Sequence, residues 1–228
     1  MNIFLLDKDP VLAARYHLDR HVVKMIQEYA QLLSTAHRVL DGVPERKVLL
    51  LVGERLEQID GRWTIVNKKA MAATHANHPC AVWVRKSIAN YNWLYRLFAA
   101  LSAEKAHRYP NGPNVTWQMF SKFLETPPRN IPHRGMTRPA LAMPVVYQDP
   151  EDPVVSYRQF YVGEKFRFAR WTRRSIPRWF FPTLASVWSV DPSSRLQYLA
   201  DDRLSRRTQI TLSLAEQALT SFQLESGS

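Results

Sequence analysis

Two rhythms of apolar and polar positions organise the chain. From Asp9-Pro10 to about Leu40 the apolar residues recur at helical spacing. Leu18, Val22, Met25, Ile26, Tyr29, Leu33, Ala36 and Leu40 form one broad face. Asp9 fits an N-cap with proline at the first helical position, Asp41-Gly42 fits the end, and a break is expected near Tyr16. Ahead of it, Ile3–Leu6 is a short apolar run, read as a strand or a buried entry segment. The rhythm then changes to two β-favouring runs around Asp60-Gly61, which predicts a hairpin over about 47–67. Helical spacing resumes after the turn Asn77-His78-Pro79-Cys80 and reaches about His107. The proline-rich stretch 109–153 predicts a long binding-type loop with a short helix over Trp117–Leu124. Asp152-Pro153 opens a third main helix, over about Val154–Ala169. Shorter helices are expected after Asp191-Pro192 and over Arg207–Phe222. The fold expected is mainly α, a compact helical domain with a small β-hairpin insertion. Residues 1–182 would form this domain, with 183–228 a helical appendage packed on it.

A second feature lies beside the apolar face of the first long helix. His17, His21, Lys24, Glu28, Gln31 and Thr35 are spaced four, three, four, three, four, which puts all six on one narrow stripe. Asp19, Arg20, Gln27 and Arg38 supply a separate, ordinary solvent face. With two polar faces on one helix, the stripe is expected to look into a cleft. A lysine in a partly dry cleft can lose its proton and act as a nucleophile, and a carboxylate one turn away can shuttle that proton. Histidines there can do acid–base work or grip phosphate. The His17/His21 pair also matches half a zinc site, but its third ligand would come from elsewhere, and neither metal nor cofactor is assigned.

Composition narrows the partners. Lys+Arg number 31 against 20 Asp+Glu, a net charge of +11 over 228 residues, which favours polyanions. One cysteine excludes an intramolecular disulfide and fits a reducing cytoplasm. No apolar run is long enough to span a membrane, and the first residues lack the pattern of a secretory signal.

The charge is concentrated. Lys165, Arg167, Arg170, Arg173, Arg174 and Arg178 are interleaved with or followed by Phe166, Phe168, Trp171, Trp179, Phe180 and Phe181. Basic groups bind phosphates and aromatic rings stack on unpaired bases, so Tyr157, Tyr161, Lys165, Arg170, Trp171 and Arg174 are expected DNA contacts. Between Thr74 and Cys80, His75 and His78 either join the stripe or satisfy the start of the next helix, with Cys80 a small buried residue.

Taken together, Met1–Phe4, Ala13-Ala14, Leu18-Asp19, Lys24, Glu28, Gln31–Leu33, His78-Pro79, Trp83, Tyr91, Leu94, Glu104 and Arg108 resemble the layout of the pyrimidine-dimer DNA glycosylases of the phage endonuclease V type, over roughly the first half of the chain. The chain also resembles small phage proteins with a YHxDxHVVKM motif. The glycosylase resemblance implies a helical enzyme that binds DNA, flips out a base and attacks C1′ of the sugar with an amine, forming an imine with help from a carboxylate. In that family the amine belongs to a small residue exposed when Met1 is removed, and Asn2 does not fit that pattern. Lys24 is therefore the expected nucleophile and Glu28 the carboxylate, with His17, His21 and His78 as acid–base or phosphate contacts. Two other classes stay open: a DNA hypermodification transferase joining an amino acid to a pyrophosphorylated 5-hydroxymethyl-pyrimidine, and a non-catalytic DNA-binding protein.

Overall fold

The helical rhythm of residues 10–41 resolves into two helices, not one. In the computed structural model, which describes residues 1–42, 55–59, 62–66, 70–190, 217 and 220, α1 (Pro10–Tyr16) begins where the Asp9 carboxylate accepts the Val11 amide at 2.8 Å. His17 and Leu18 are extended, which stops the helix, and α2 (Asp19–Asp41) follows. The two residues of extended backbone leave carbonyls at the joint with no helical partner. Arg108, fully buried, takes them: its guanidinium donates to Arg15 O and His17 O at 2.9 Å. It also pairs with Asp19 at 2.9 Å and Glu104 at 2.8 Å.

Two strands, β1 (Arg55–Ile59) and β2 (Arg62–Val66), pair antiparallel with Arg55 opposite Val66 and Ile59 opposite Arg62. The expected single helix from Pro79 to His107 is divided. α3 (Pro79–Arg85) ends at Lys86, and Ser87 caps a new helix, α4 (Ile88–Arg108), by accepting the Asn90 amide at 3.1 Å. α5 (Val115–Leu124) covers the expected short helix, opened by Asn114. A 3₁₀ turn at Val145–Tyr147 precedes α6 (Pro153–Lys165), capped by Asp152, and a 3₁₀ turn at Phe166–Phe168 ends it. α7 (Phe180–Val190) keeps Pro182 within its first turn, where a missing N–H costs nothing. The architecture is mainly α. Asp191-Pro192 and nearly all of the expected helix over Arg207–Phe222 lie outside the described residues. Among those described, no helix is long and apolar enough to cross a membrane.

The chain forms two compact units, one of Met1–Ile3 with Asp7–Ala142 and one of Phe4–Leu6 with the chain from Met143 on. Within the second unit α7 packs against α6. In the first unit α2 is the centre, with α3, α4 and α5 packed around it. Its face of Leu18, Val22, Met25, Ile26, Tyr29, Leu33 and Ala36 is buried as the periodicity predicts. Asp19 and Arg38 are buried too, which corrects their placement on a solvent face. Asp19 supports Arg108 from the first turn of α2, where a negative charge also suits the helix dipole. Arg38 donates to the carbonyls of Ala70, at 2.9 Å, and Met71. The Ser34 hydroxyl accepts the Met71 amide at 3.1 Å and Thr35 accepts the Thr74 amide at 3.3 Å, so residues 70–74 run along the last turns of α2. In the second unit Phe4 is the hub. Its ring lies 5.0 Å edge-on from Tyr161, 6.5 Å edge-on from Tyr157, and 6.2 Å stacked on Phe160.

Replacing Arg38 by leucine would strand two part-buried carbonyls. The substitution is expected to lower the unfolding free energy by about 2–4 kcal/mol in urea titrations. A change below about 0.5 kcal/mol, the range of an ordinary surface substitution, would show that Arg38 does not hold residues 70–71.

Candidate functional site

The stripe on α2 is not uniform. His17 is fully buried in the joint between α1 and α2, its Nδ1 donating to Ala13 O at 2.7 Å and its Nε2 facing the Tyr29 hydroxyl at 3.1 Å. Both ring nitrogens are occupied. Burial, opposed by the bond to Ala13 O and helped by the nearby Arg108 charge, brings its pKa down from 6.5 to about 4. His17 is thus a neutral core residue and neither an acid–base group nor a phosphate contact. His21 is buried as well. At the other end Thr35 is buried and donates to Gln31 O at 2.8 Å.

Only the middle of the stripe reaches solvent. The Lys24 ammonium sits 3.2 Å from the Glu28 carboxylate, with their side chains 70% and 16% exposed. Lys24 therefore does not lie in a dry cleft, and desolvation does not activate its amine in the unbound chain. Glu28 is the more enclosed partner, and Gln31 beside it is half-buried.

What gathers on Glu28 comes from another part of the chain. Residues 70–74, held on α2 by Ser34, Thr35 and Arg38, lead directly into His75 and His78. The Thr74 hydroxyl points at the Met1 sulfur at 3.8 Å. His75 is exposed and carries a left-handed backbone, φ 52, a conformation that costs a non-glycine residue about 1–2 kcal/mol and recurs at functional loops. His78 caps α3, its Nδ1 accepting the Cys80 amide at 3.2 Å, which leaves the proton on Nε2. Burial holds the His78 imidazole below its ordinary value. The Met1 amino group and His75 push the same way, and Glu28 opposes them. His78 thus takes the structural role expected of it at the start of α3. Cys80 is buried, as a structural cysteine. Glu28 thus faces Lys24 along α2, and His78 feels the charges of Glu28, His75 and the Met1 amino group. Among the described residues, no three His, Cys, Asp or Glu side chains are grouped to hold a metal.

The second unit divides the expected DNA contacts. Tyr157 and Tyr161 are core, packed on Phe4, and Trp171 is buried with its ring 5.0 Å edge-on from Phe180. None of the three is placed to stack on a base. Lys165 and Arg174 are half-buried, Lys165 with its ammonium 5.6 Å over the Phe160 ring. Arg170 is exposed, as are Arg167, Arg173 and Arg178. Phe166, Trp171 and Phe180 fill the core, Phe168, Trp179 and Phe181 are half-buried, and Arg167, Arg170, Arg173 and Arg178 reach the surface.

Matched against protein-family models, curated proteins and solved structures, the chain finds no counterpart.

The buried His17 makes stability depend on pH. Its folded pKa lies below the unfolded value, so its contribution is intact above pH 6.5 and is lost as pH falls from 6.5 to about 4. Between pH 7 and pH 5 the loss from this residue is about 2 kcal/mol. Urea titrations at the two pH values are expected to show that extra loss in the wild type and not in His17→Gln. Equal pH dependence in both proteins would contradict a neutral, buried His17.

Proposed function

We propose that the protein is an enzyme acting on a pyrimidine base in DNA, with glycosylase or lyase chemistry carried by an amine and a carboxylate. The observation that supports it best is the Lys24–Glu28 pair at 3.2 Å, neighboured by His78, His75 and the Met1 amino group on one unit. Glu28 takes a proton from the ammonium of Lys24. The freed amine attacks C1′, the bond from C1′ to the base breaks, and the base leaves with a proton. As the C1′–N bond becomes an imine, the sugar ring opens and its oxygen takes a proton. His78 carries a proton on Nε2 and is a candidate donor for either transfer. DNA lying over Lys24 would strip the water that surrounds it in the free protein. The net charge of +11 and the exposed Arg167, Arg170, Arg173 and Arg178 fit a DNA partner. The cytoplasm, that of the host for a phage-encoded chain, is the compartment this reading implies.

Borohydride reduction with DNA containing an abasic or damaged site tests the chemistry. A covalent adduct is expected in the wild type, absent in Lys24→Ala, and formed about a hundredfold more slowly in Glu28→Gln. An adduct that survives in Lys24→Ala and maps to the Met1 peptide would move the nucleophile to that amine. No adduct with any such DNA would contradict the glycosylase or lyase reading and leave the hypermodification transferase or a DNA-binding protein.

A further inference from the structure

Residues 165–190 contain six basic residues and no acidic one. Within them, residues 171–177 form a loop fastened at both ends to one residue, Phe180. Trp171 packs edge-on against Phe180 at 5.0 Å, and Pro177 is buried with its carbonyl accepting the Phe180 amide at 2.9 Å. Between these anchors the Arg174 amide donates to Trp171 O at 3.3 Å, closing a turn that holds Arg173 in the left-handed region, φ 58. A strained arginine in so tight a turn persists only where its surroundings fix it. Pro177 further restricts the residue before it, Ile176, to extended backbone. Ile176 is the one large aliphatic side chain of the loop, and it is 40% exposed.

We infer that Ile176 is a wedge that enters a base step of duplex DNA while Arg170, Arg173 and Arg178 hold the phosphates on either side. This rests on the reading that DNA is the partner. Five residues of chain span at most about 18 Å, so Arg173 and Arg178 straddle Ile176 by no more than about five base-pair rises. Proteins that kink DNA use apolar residues of this kind, isoleucine among them, and offset the lost stacking with backbone contacts. The all-basic composition favours a polyanion over a protein partner. A rigid loop favours insertion over adaptation, because an ordered wedge loses little freedom on binding.

The test uses the full chain and a duplex carrying 2-aminopurine beside a flexible TA step. Anisotropy reads binding and fluorescence reads unstacking. The wild type is expected to bind and brighten the probe. Ile176→Ala is expected to bind about tenfold more weakly with an unchanged salt slope and no brightening. Ile176→Phe should brighten it again. Arg170→Gln and Arg178→Gln should each lower the slope of log affinity against log salt by about 0.9. Brightening by Ile176→Ala equal to the wild type, or wild-type salt slopes in both arginine variants, would overturn the proposal. Wild-type binding without brightening overturns the wedge alone. No wild-type binding at all overturns the DNA reading along with it.

Discussion

The first unit depends on one buried cation. Arg108 ends α4, yet its guanidinium reaches the joint between α1 and α2, a separation of about ninety residues along the chain. A lone buried charge is costly, and here Asp19 and Glu104 both neutralise it while two carbonyls take further N–H groups. The break at His17 and Leu18 is possible because Arg108 donates to the carbonyls that the break exposes. Leaving Glu104 and Asp19 without Arg108 would bury two unpaired carboxylates, so the three residues stand or fall together.

Arg38 repeats the device at the far end of α2. It holds residues 70–71 as Arg108 holds residues 15–17, so a buried arginine fixes each end of the central helix against a distant segment. The consequence for chemistry is positional. Residues 70–74 deliver His75 and His78 to the middle of α2, where Glu28 and Lys24 are the only charged members of the stripe left near solvent. The unbound protein keeps the amine hydrated and the carboxylate partly enclosed. That division suits the proposed reading, in which a bound substrate would supply the low-dielectric cover that the protein alone does not.

Much of the fold is legible in the sequence. The apolar period of α2, the Asp9, His78 and Asp152 caps, each followed by proline, and the Asp41-Gly42 stop all reflect local chemistry. The division at Ser87 follows a capping residue inside an otherwise helical pattern. Burial of polar residues is not local, and there the sequence is silent. His17 and His21 share a stripe with Lys24 and Glu28, but both ends of it are buried, His17 and His21 at one and Thr35 at the other. Arg38 and Asp19 resemble surface residues until their partners from residues 70–71 and 108 are known. Tyr157 and Tyr161 share a face with Lys165, and only Phe4, more than 150 positions away in the chain, makes that face a core. The left-handed backbone at His75 and Arg173 has no sequence signal, since neither residue type favours it as glycine does.

The dependence on Arg108 is open to direct measurement by a double-mutant cycle of Arg108→Met and Glu104→Gln, with unfolding free energies from urea titration at pH 7. The single changes should each be strongly destabilising and the double change much less than their sum, giving a coupling of about 1–3 kcal/mol. Additivity within about 0.3 kcal/mol would contradict the claim that this buried cation and its carboxylates form one unit on which the joint depends.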